Sequence, residues 1–336
     1  NLVTLVMGGS MKGVCIMDVL ERIGKIGLVP VVVLEKASDG PPVAAALCDG
    51  GIPIMEITMR TDAGIDAIKA VKASNPEVLV GAGTVLTLDK CKESVDAGAE
   101  FIVSPGFNPK IVDWCVKNDV PITPGCVTPT EIEMALDKGL RVLKYFPAGV
   151  YGGIKGCTAL QGPYKSMGLK FIPTGGISLK NLDEYSDKEF IHAIGGGWLS
   201  NPKDIASGNF DAIRETAKLS IAQLLGFEFA HVGINTADDD DSKKVAEEFD
   251  AVFGFGVKYG NSSNFAGSGI EVMKGAGFGK NGHLAVKTNN VGRAIHYLEG
   301  QGFTVDMESA KYKGDTMVAV YLKEEIGGFA IHLLQK

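Results

Sequence analysis

The chain has 336 residues, 45% of them hydrophobic, which is enough for one large barrel with an extension or for two domains with separate cores. Forty acidic against 33 basic residues give a net charge of -7, and no basic stripe interleaved with aromatics occurs, which argues against nucleic acid or an anionic membrane as main partner. Small molecules are the expected ligands, and a few local cations with exposed backbone N–H groups suffice to hold an anionic one.

The six cysteines (Cys15, Cys48, Cys91, Cys115, Cys126 and Cys157) include no Cys-x-x-Cys pair, a pattern expected of a reduced cytoplasm rather than a disulfide framework. No apolar run reaches the roughly 18 residues that a membrane span needs. The opening stretch from Asn1 to Met7 has no cationic leader, and residues 1–12 read as a start-site or expression remnant.

A helix is predicted over Ile16 to Ile26, placed to plug or cover one end of the strand array behind it. From Leu28 onward, β-rich runs alternate with helix-period segments such as Asp62 to Ser74 and Thr87 to Gly98. The predicted strands are Val29–Glu35, Ile52–Thr58, Val78–Gly81, Phe101–Ser104, Pro121–Thr123, Arg141–Phe146, Lys170–Thr174 and Phe190–Ile194. Strict alternation implies a parallel sheet, and eight units imply closure into a (β/α)8 TIM barrel, with a doubly wound open sheet as the alternative. Polar or special residues recur where these strands stop: Glu56 and Arg60, Thr84, Pro105, Pro124, Lys144, Thr174 and Gly196. In a barrel such positions converge on one mouth.

After a last barrel helix over Phe210 to Leu225 the character changes, and a boundary is expected near Gly226. Residues 13–226 form the barrel in this reading, and 227–336 a smaller α+β domain. Its predicted strands are Phe229–Ile234, Ala251–Val257, Gly269–Met273, His283–Lys287, Met317–Leu322 and Phe329–Leu334, with helices over Ser242–Phe249 and Asn290–Gln301. The acidic run Asp238 to Asp241 lacks the glycine and distal glutamate of a calcium loop, so it reads as a cap for the next helix. His296, on a helix, is assigned to the surface.

Lys144 is a lone cation closing the apolar run before Tyr145, Phe146 and Pro147. An amine among apolar neighbours is held partly neutral and can attack a carbonyl to form a Schiff base. The bland alternative is a lysine snorkelling from a strand end. The residues around it decide between these readings. The ordered blocks Met55-Glu56-Ile57-Thr58-Met59-Arg60-Thr61, Gly81-Ala82-Gly83-Thr84-Val85-Leu86, Ser104-Pro105-Gly106, Pro124-Gly125-Cys126-Val127-Thr128-Pro129-Thr130-Glu131, Leu143-Lys144-Tyr145-Phe146-Pro147-Ala148, Pro173-Thr174-Gly175-Gly176-Ile177 and Gly195-Gly196-Gly197-Trp198-Leu199 resemble the 2-keto-3-deoxy-6-phosphogluconate (KDPG)/4-hydroxy-2-oxoglutarate (KHG) aldolases.

The resemblance implies a class I aldolase that needs no metal or other cofactor, built on a (β/α)8 barrel and assembled as a homotrimer. It makes Lys144 the Schiff-base nucleophile and Glu56 the general acid/base, which takes the proton of the C4 hydroxyl through a water. It makes Arg60 the clamp for the pyruvate carboxylate, a role that suits a planar bidentate donor. Thr84, Pro105, Phe146 and Thr174 would line the same end. The alternatives are an ion pair of Glu56 with Arg60 or Lys144, and ordinary packing for Thr84 and Phe146. The glycine turns Gly175-Gly176 and Gly195-Gly196-Gly197 follow strands seven and eight, where barrels commonly bind phosphate, although a lone Gly-Gly pair is often a mere turn. Gly197 departs from the family, which often has a phosphate-binding serine here, so an unphosphorylated hydroxy-oxoglutarate gains ground as substrate.

In the second domain His231, Glu271, His283 and His332 resemble the four metal-ligand positions of the glyoxalase/vicinal-oxygen-chelate superfamily, built from paired βαβββ modules. There the fourth ligand is more often Glu than His. Such a donor set suits a divalent metal, and the alternative is a silent packing or regulatory module. The reading is therefore a cytoplasmic lyase acting on a small keto acid, with no nucleic-acid or membrane partner. The rival is a keto-acid- or phosphate-binding barrel with a regulatory or metal-dependent appendage.

Overall fold

The computed structural model describes residues 16–336; Cys15 and the expected remnant over residues 1–12 lie outside the described residues. Helix α1 (Ile16–Ile26) precedes the strands β1 (Leu28–Val32), β2 (Ile54–Thr58), β3 (Leu79–Gly83), β4 (Phe101–Ser104), β5 (Ile122–Pro124), β6 (Val142–Tyr145), β7 (Lys170–Pro173) and β8 (Ile194–Gly196). Between and after them run α2 (Gly40–Asp49), α3 (Gly64–Ser74), α4 (Leu88–Asp96), α5 (Pro109–Lys117), α6 (Pro129–Asp137), α7 (Gly153–Gln161), α8 (Asp183–Ser186), α9 (Pro202–Ser207) and α10 (Phe210–Leu225). Apart from Lys170, every strand residue from β1 to β8 is buried, as a parallel sheet covered on both faces requires. Local signals start the helices: Thr128 and Glu131 form a reciprocal capping box ahead of Pro129 in α6, and the Thr87 hydroxyl caps α4.

The expected single ring of eight hydrogen-bonded strands is met only in part. The continuous ladder is a six-stranded parallel half-barrel in the order β5-β4-β3-β2-β1-β8, while β6 and β7 pair separately. Isolated bridges cross the two seams, Gly125 to Lys144 on one side and Phe171 to Ile191 and Thr174 to Gly195 on the other. Two local causes interrupt the ladder. Strand β5 is three residues long and ends in Pro124, which has no N–H to donate. The expected strand Phe190–Ile194 contributes only its last residue to β8, the rest touching β7 through the bridge at Ile191. The sequential order, with β1 between β2 and β8, is that of an aldolase-type barrel wall and not of a doubly wound sheet.

Helix α10 ends at Gly226 in a left-handed C-cap. A second, α+β module comes next: β9 (Glu228–Ile234), α11 (Asp239–Phe253), β10 (Val257–Tyr259), β11 (Ser263–Ala266), β12 (Ile270–Met273), β13 (His283–Thr288), α12 (Val291–Gly300), β14 (Val305–Lys313), β15 (Thr316–Ile326) and β16 (Phe329–Gln335). Its strands form one sheet in the order β10-β11-β12-β9-β13-β16-β15-β14. One topology occurs twice, a strand, a helix and three strands, the last parallel to the first: β9 with β12, and β13 with β16.

Three expectations for this region need correction. Only Val257 of the predicted strand over Ala251–Val257 is strand, because α11 continues through Phe253 and Gly254 reverses the chain at φ 68°. Strands β11 and β14 are additional to the predicted set: Ser263-Asn264-Phe265-Ala266 lacks apolar alternation, and the alternation of the charged edge strand β14 changes phase at Ser309, within the stretch where its pairing with β15 shifts register. His296 is half-buried rather than at the surface. The Asp238 carboxylate does accept from the Asp241 N–H at 2.9 Å, capping α11. No described helix is long and apolar enough to cross a membrane.

Candidate active site

Because the strands are parallel, their C-terminal ends face one way and bring residues distant in sequence together. Glu56 comes from β2 and Lys144 from β6, and both are buried, at 3% and 6% exposure. Lys144 Nζ lies 3.1 Å from Glu56 Oε1 and 3.5 Å from Oε2. Of the two ion-pair partners considered for Glu56, it is Lys144 that it meets. The amine is thus held by a carboxylate as well as by its apolar surroundings. Lys144 Nζ also lies 5.4 Å from the centroid of the Phe146 ring, within cation–π range.

Arg60 stands just beyond β2, exposed, and its Nε donates to the Thr84 hydroxyl at 3.2 Å. Thr84, just past β3, has φ 55°. A β-branched residue in the left-handed region is a strained exception of the kind that clusters at working sites. Pro105 follows β4, half-buried, and its carbonyl crowds Gly125 so closely that a side chain there would collide. Thr174, buried just past β7, precedes Gly175 and Gly176, which take φ 89° and 77°. The Phe146 ring packs on Gly175. Gly196 is pressed against the Trp198 ring, whereas Gly197 is exposed and a Cβ there would meet nothing nearer than the Val31 carbonyl at 3.7 Å.

Three further contributors are not evident as site residues from sequence. Gly83 lacks a side chain where the Glu56 carboxylate lies, so a Cβ there would collide with that carboxylate; its signal is the small-residue run Gly81-Ala82-Gly83. Ile23 of α1 and Thr123 of β5, with Glu56, Lys144 and Thr174, line an internal cavity of about 10 Å³ beneath the ion pair. Nothing local marks Ile23 or Thr123.

The C-terminal module has a second cluster. His231, Glu271, His283 and His332 lie on β9, β12, β13 and β16, the four adjacent central strands of its sheet and the first and last strands of each repeat. The ring nitrogens of the three histidines include a set lying within 4.8 Å of one another. His231 Nε2 and His283 Nε2 are 2.9 and 3.1 Å from Glu271 Oε2. Burial pushes Glu271 up, but bonds from His231, His283 and Ser263 outweigh it and hold this carboxyl well below the usual range. Burial and the neighbouring imidazoles His283 and His231 push His332 down to about 3, so it is neutral. Both ring nitrogens of His332 and Nδ1 of His283 are buried without a hydrogen-bond partner. Tyr321 stacks flat on His332, with centroids 4.1 Å apart.

A buried lysine paired with a carboxylate inside a parallel α/β wall is the arrangement a Schiff-base lyase requires. The family pattern described as aldolase, KDPG and KHG aldolase, matches residues 19–216. The chain belongs to this family. It is 42% identical over 208 residues to the 2-dehydro-3-deoxy-phosphogluconate aldolase of Treponema pallidum, covering 62% of this chain and 98% of that one. It is 37% identical over 194 residues to the KHG/KDPG aldolase of Escherichia coli strain K12, covering 58% and 90%. The crystal structure of the KDPG aldolase of Legionella pneumophila, with pyruvate captured as a covalent carbinolamine intermediate, superposes with a TM-score of 0.57 at 33% identity, covering 60% of this chain and 96% of that one.

Proposed function

We propose that residues 13–226 form a barrel closed across the two bridged seams that cleaves 2-keto-4-hydroxy acids, KDPG and/or 4-hydroxy-2-oxoglutarate, to pyruvate and an aldehyde, glyceraldehyde 3-phosphate or glyoxylate. The contact between Lys144 Nζ and Glu56 at 3.1 Å carries this reading. The neutral Lys144 amine adds to the C2 carbonyl, and the carbinolamine takes up a proton from solvent and loses water to give a protonated imine, the proton being given back when water later releases the amine. Glu56 takes the C4 hydroxyl proton, through a water. As the C3–C4 bond breaks, the aldehyde departs and its bonding pair passes to the imine as an enamine. Glu56 then returns a proton to C3, and water releases pyruvate and the free amine. Arg60 is the planar clamp for the substrate carboxylate, held by Thr84. Pro105, Phe146 and Thr174 wall the chain of the substrate. Incubation with pyruvate and borohydride, followed by peptide mapping, tests the assignment: the adduct belongs on Lys144, and its absence there sinks the reading.

At the far end of the substrate, the glycine turns at Gly175, Gly176, Gly196 and Gly197 receive a phosphate or a terminal carboxylate on backbone N–H groups. Gly197 offers no hydroxyl, which favours the carboxylate. Its surroundings leave room for a side chain and its backbone does not require glycine. Gly197→Ser is therefore expected to raise kcat/KM for the phosphorylated substrate relative to the unphosphorylated one by about tenfold, the worth of one hydrogen bond to a charged group. An unchanged ratio in steady-state assays would place the anion elsewhere.

A second site is proposed in residues 227–336, where the repeated strand-helix-three-strand topology supports a glyoxalase-like module. The unpartnered nitrogens of His332 and His283, set beside His231 and one carboxylate, fit a divalent metal. His231, Glu271, His283 and His332 would hold it, and it would supply Lewis-acid chemistry when bound. The expected result of metal analysis is about one ion per chain, lost in His283→Ala, since each such ligand contributes directly to affinity. Equal metal content in the two proteins would leave the cluster as packing.

A further inference from the structure

Arg293 is a side chain of the C-terminal module that reaches into the barrel base and spends its guanidinium there. It lies in the first turn of α12, 5% exposed. Its Nε donates to the Gly24 carbonyl of α1 at 3.2 Å, Nη1 to the Ser186 carbonyl at 3.3 Å, and Nη2 to the carbonyls of Ile191 and His192 at 2.7 and 3.1 Å. The last two residues lead into β8, and Gly24 follows Ile23. Ile23 is the α1 side chain that lines the same small cavity as Glu56 and Lys144. The guanidinium thus ties together three pieces of barrel backbone, at Gly24, at Ser186 and at Ile191–His192.

Two further observations single out this clasp. Gly27, at φ 76°, leaves space that a Cβ would deny, since it would come within 2.8 Å of Arg293 Nε and 2.9 Å of Cδ. Cavities of about 380 and 230 Å³ flank Arg293 along the seam. Neighbouring bonds from Thr288 to the Leu225 carbonyl and from Asn289 to Ser186 hold the approach to α12 on the same face.

We propose that Arg293 is a positioning residue of the aldolase, supplied by the C-terminal module: it fixes α1 against the base of the sheet so that Ile23 keeps Lys144 and Glu56 in their paired geometry. The inference rests on the aldolase reading. It makes the C-terminal module a working part of the barrel, whatever chemistry the module has of its own.

The test uses the full chain with Arg293→Met, Arg293→Lys, Ile23→Ala, the Arg293→Met/Ile23→Ala double variant, and Glu299→Gln as a control on the same helix. Cleavage kinetics and the pH dependence of borohydride trapping with pyruvate are measured for each. Arg293→Met is expected to lower kcat roughly tenfold to a hundredfold, as small displacements of reacting groups do, with little change in KM, and to displace the pH at which trapping is half-maximal. Arg293→Lys should recover part of the loss, and Glu299→Gln should resemble the wild type. Ile23→Ala should reproduce the effect, and the double variant should be no worse than the poorer single one, because both act through one element. Wild-type kcat and pH profile in Arg293→Met, or losses that multiply in the double variant, would overturn the proposal. If Arg293→Met does not fold, Arg293→Lys and Gly27→Ala decide by the same criteria. A wild-type protein that gives no adduct on Lys144 removes the aldolase reading and this one together, whereas normal trapping in every Arg293 variant removes this one alone.

Discussion

Lys144→Met is expected to abolish the borohydride-stable adduct with pyruvate and to reduce kcat by at least about 10⁴-fold, the scale on which removal of a covalent nucleophile acts. The substitution has a second effect that a surface lysine would not show. It leaves the Glu56 carboxylate, 3% exposed, without its partner at 3.1 Å. Breaking a buried pair from one side costs about 3–5 kcal/mol, because the remaining charge is uncompensated. Lys144→Met should therefore unfold at lower denaturant concentration than the wild type. The Lys144→Met/Glu56→Gln protein should regain most of that stability while regaining no activity. Chemical denaturation separates these outcomes, and a double variant no more stable than Lys144→Met would mean that the pair is not the main partner of either charge.

Glu56→Gln isolates the second role. The amide keeps the size of the carboxylate and leaves the amine free to attack, so trapping of pyruvate on Lys144 should persist. What should fail is proton transfer at the substrate, with cleavage falling by roughly 10²- to 10⁴-fold, the usual contribution of a positioned acid/base group. The decisive measurement is exchange of the pyruvate methyl protons with deuterated solvent, followed by NMR. Exchange at the wild-type rate in Glu56→Gln would assign the base to another residue. Loss of both exchange and trapping would make Glu56 chiefly a partner of the amine.

The strand-end pattern makes much of this site legible in advance. Glu56, Arg60, Thr84, Lys144 and Thr174 each interrupt or follow an apolar run, and parallel strands carry such residues to the same end. The partners are less legible. Arg60 is an equal candidate for Glu56 by spacing, and only the fold shows it bonding to Thr84 instead. Strand β14 is harder to read because its alternation changes phase at Ser309, where a continuous strand pattern is broken. Arg293, in the first turn of α12, carries no local mark of its place in the barrel base.

Local sequence accounts for where apolar runs begin and end, which helices are capped by Thr87, Thr128 and Asp238, and which chemistry-bearing residues close a strand. Those properties depend on neighbours a few residues away, so they can be read without a fold. It takes the folded chain to bring Glu56 to Lys144 across 88 positions, to divide the strand ladder into six and two, and to carry Arg293 to Gly24 across 269. These contacts arise from chain topology and from the space left by residues such as Gly83 and Gly27, and no local spacing encodes either.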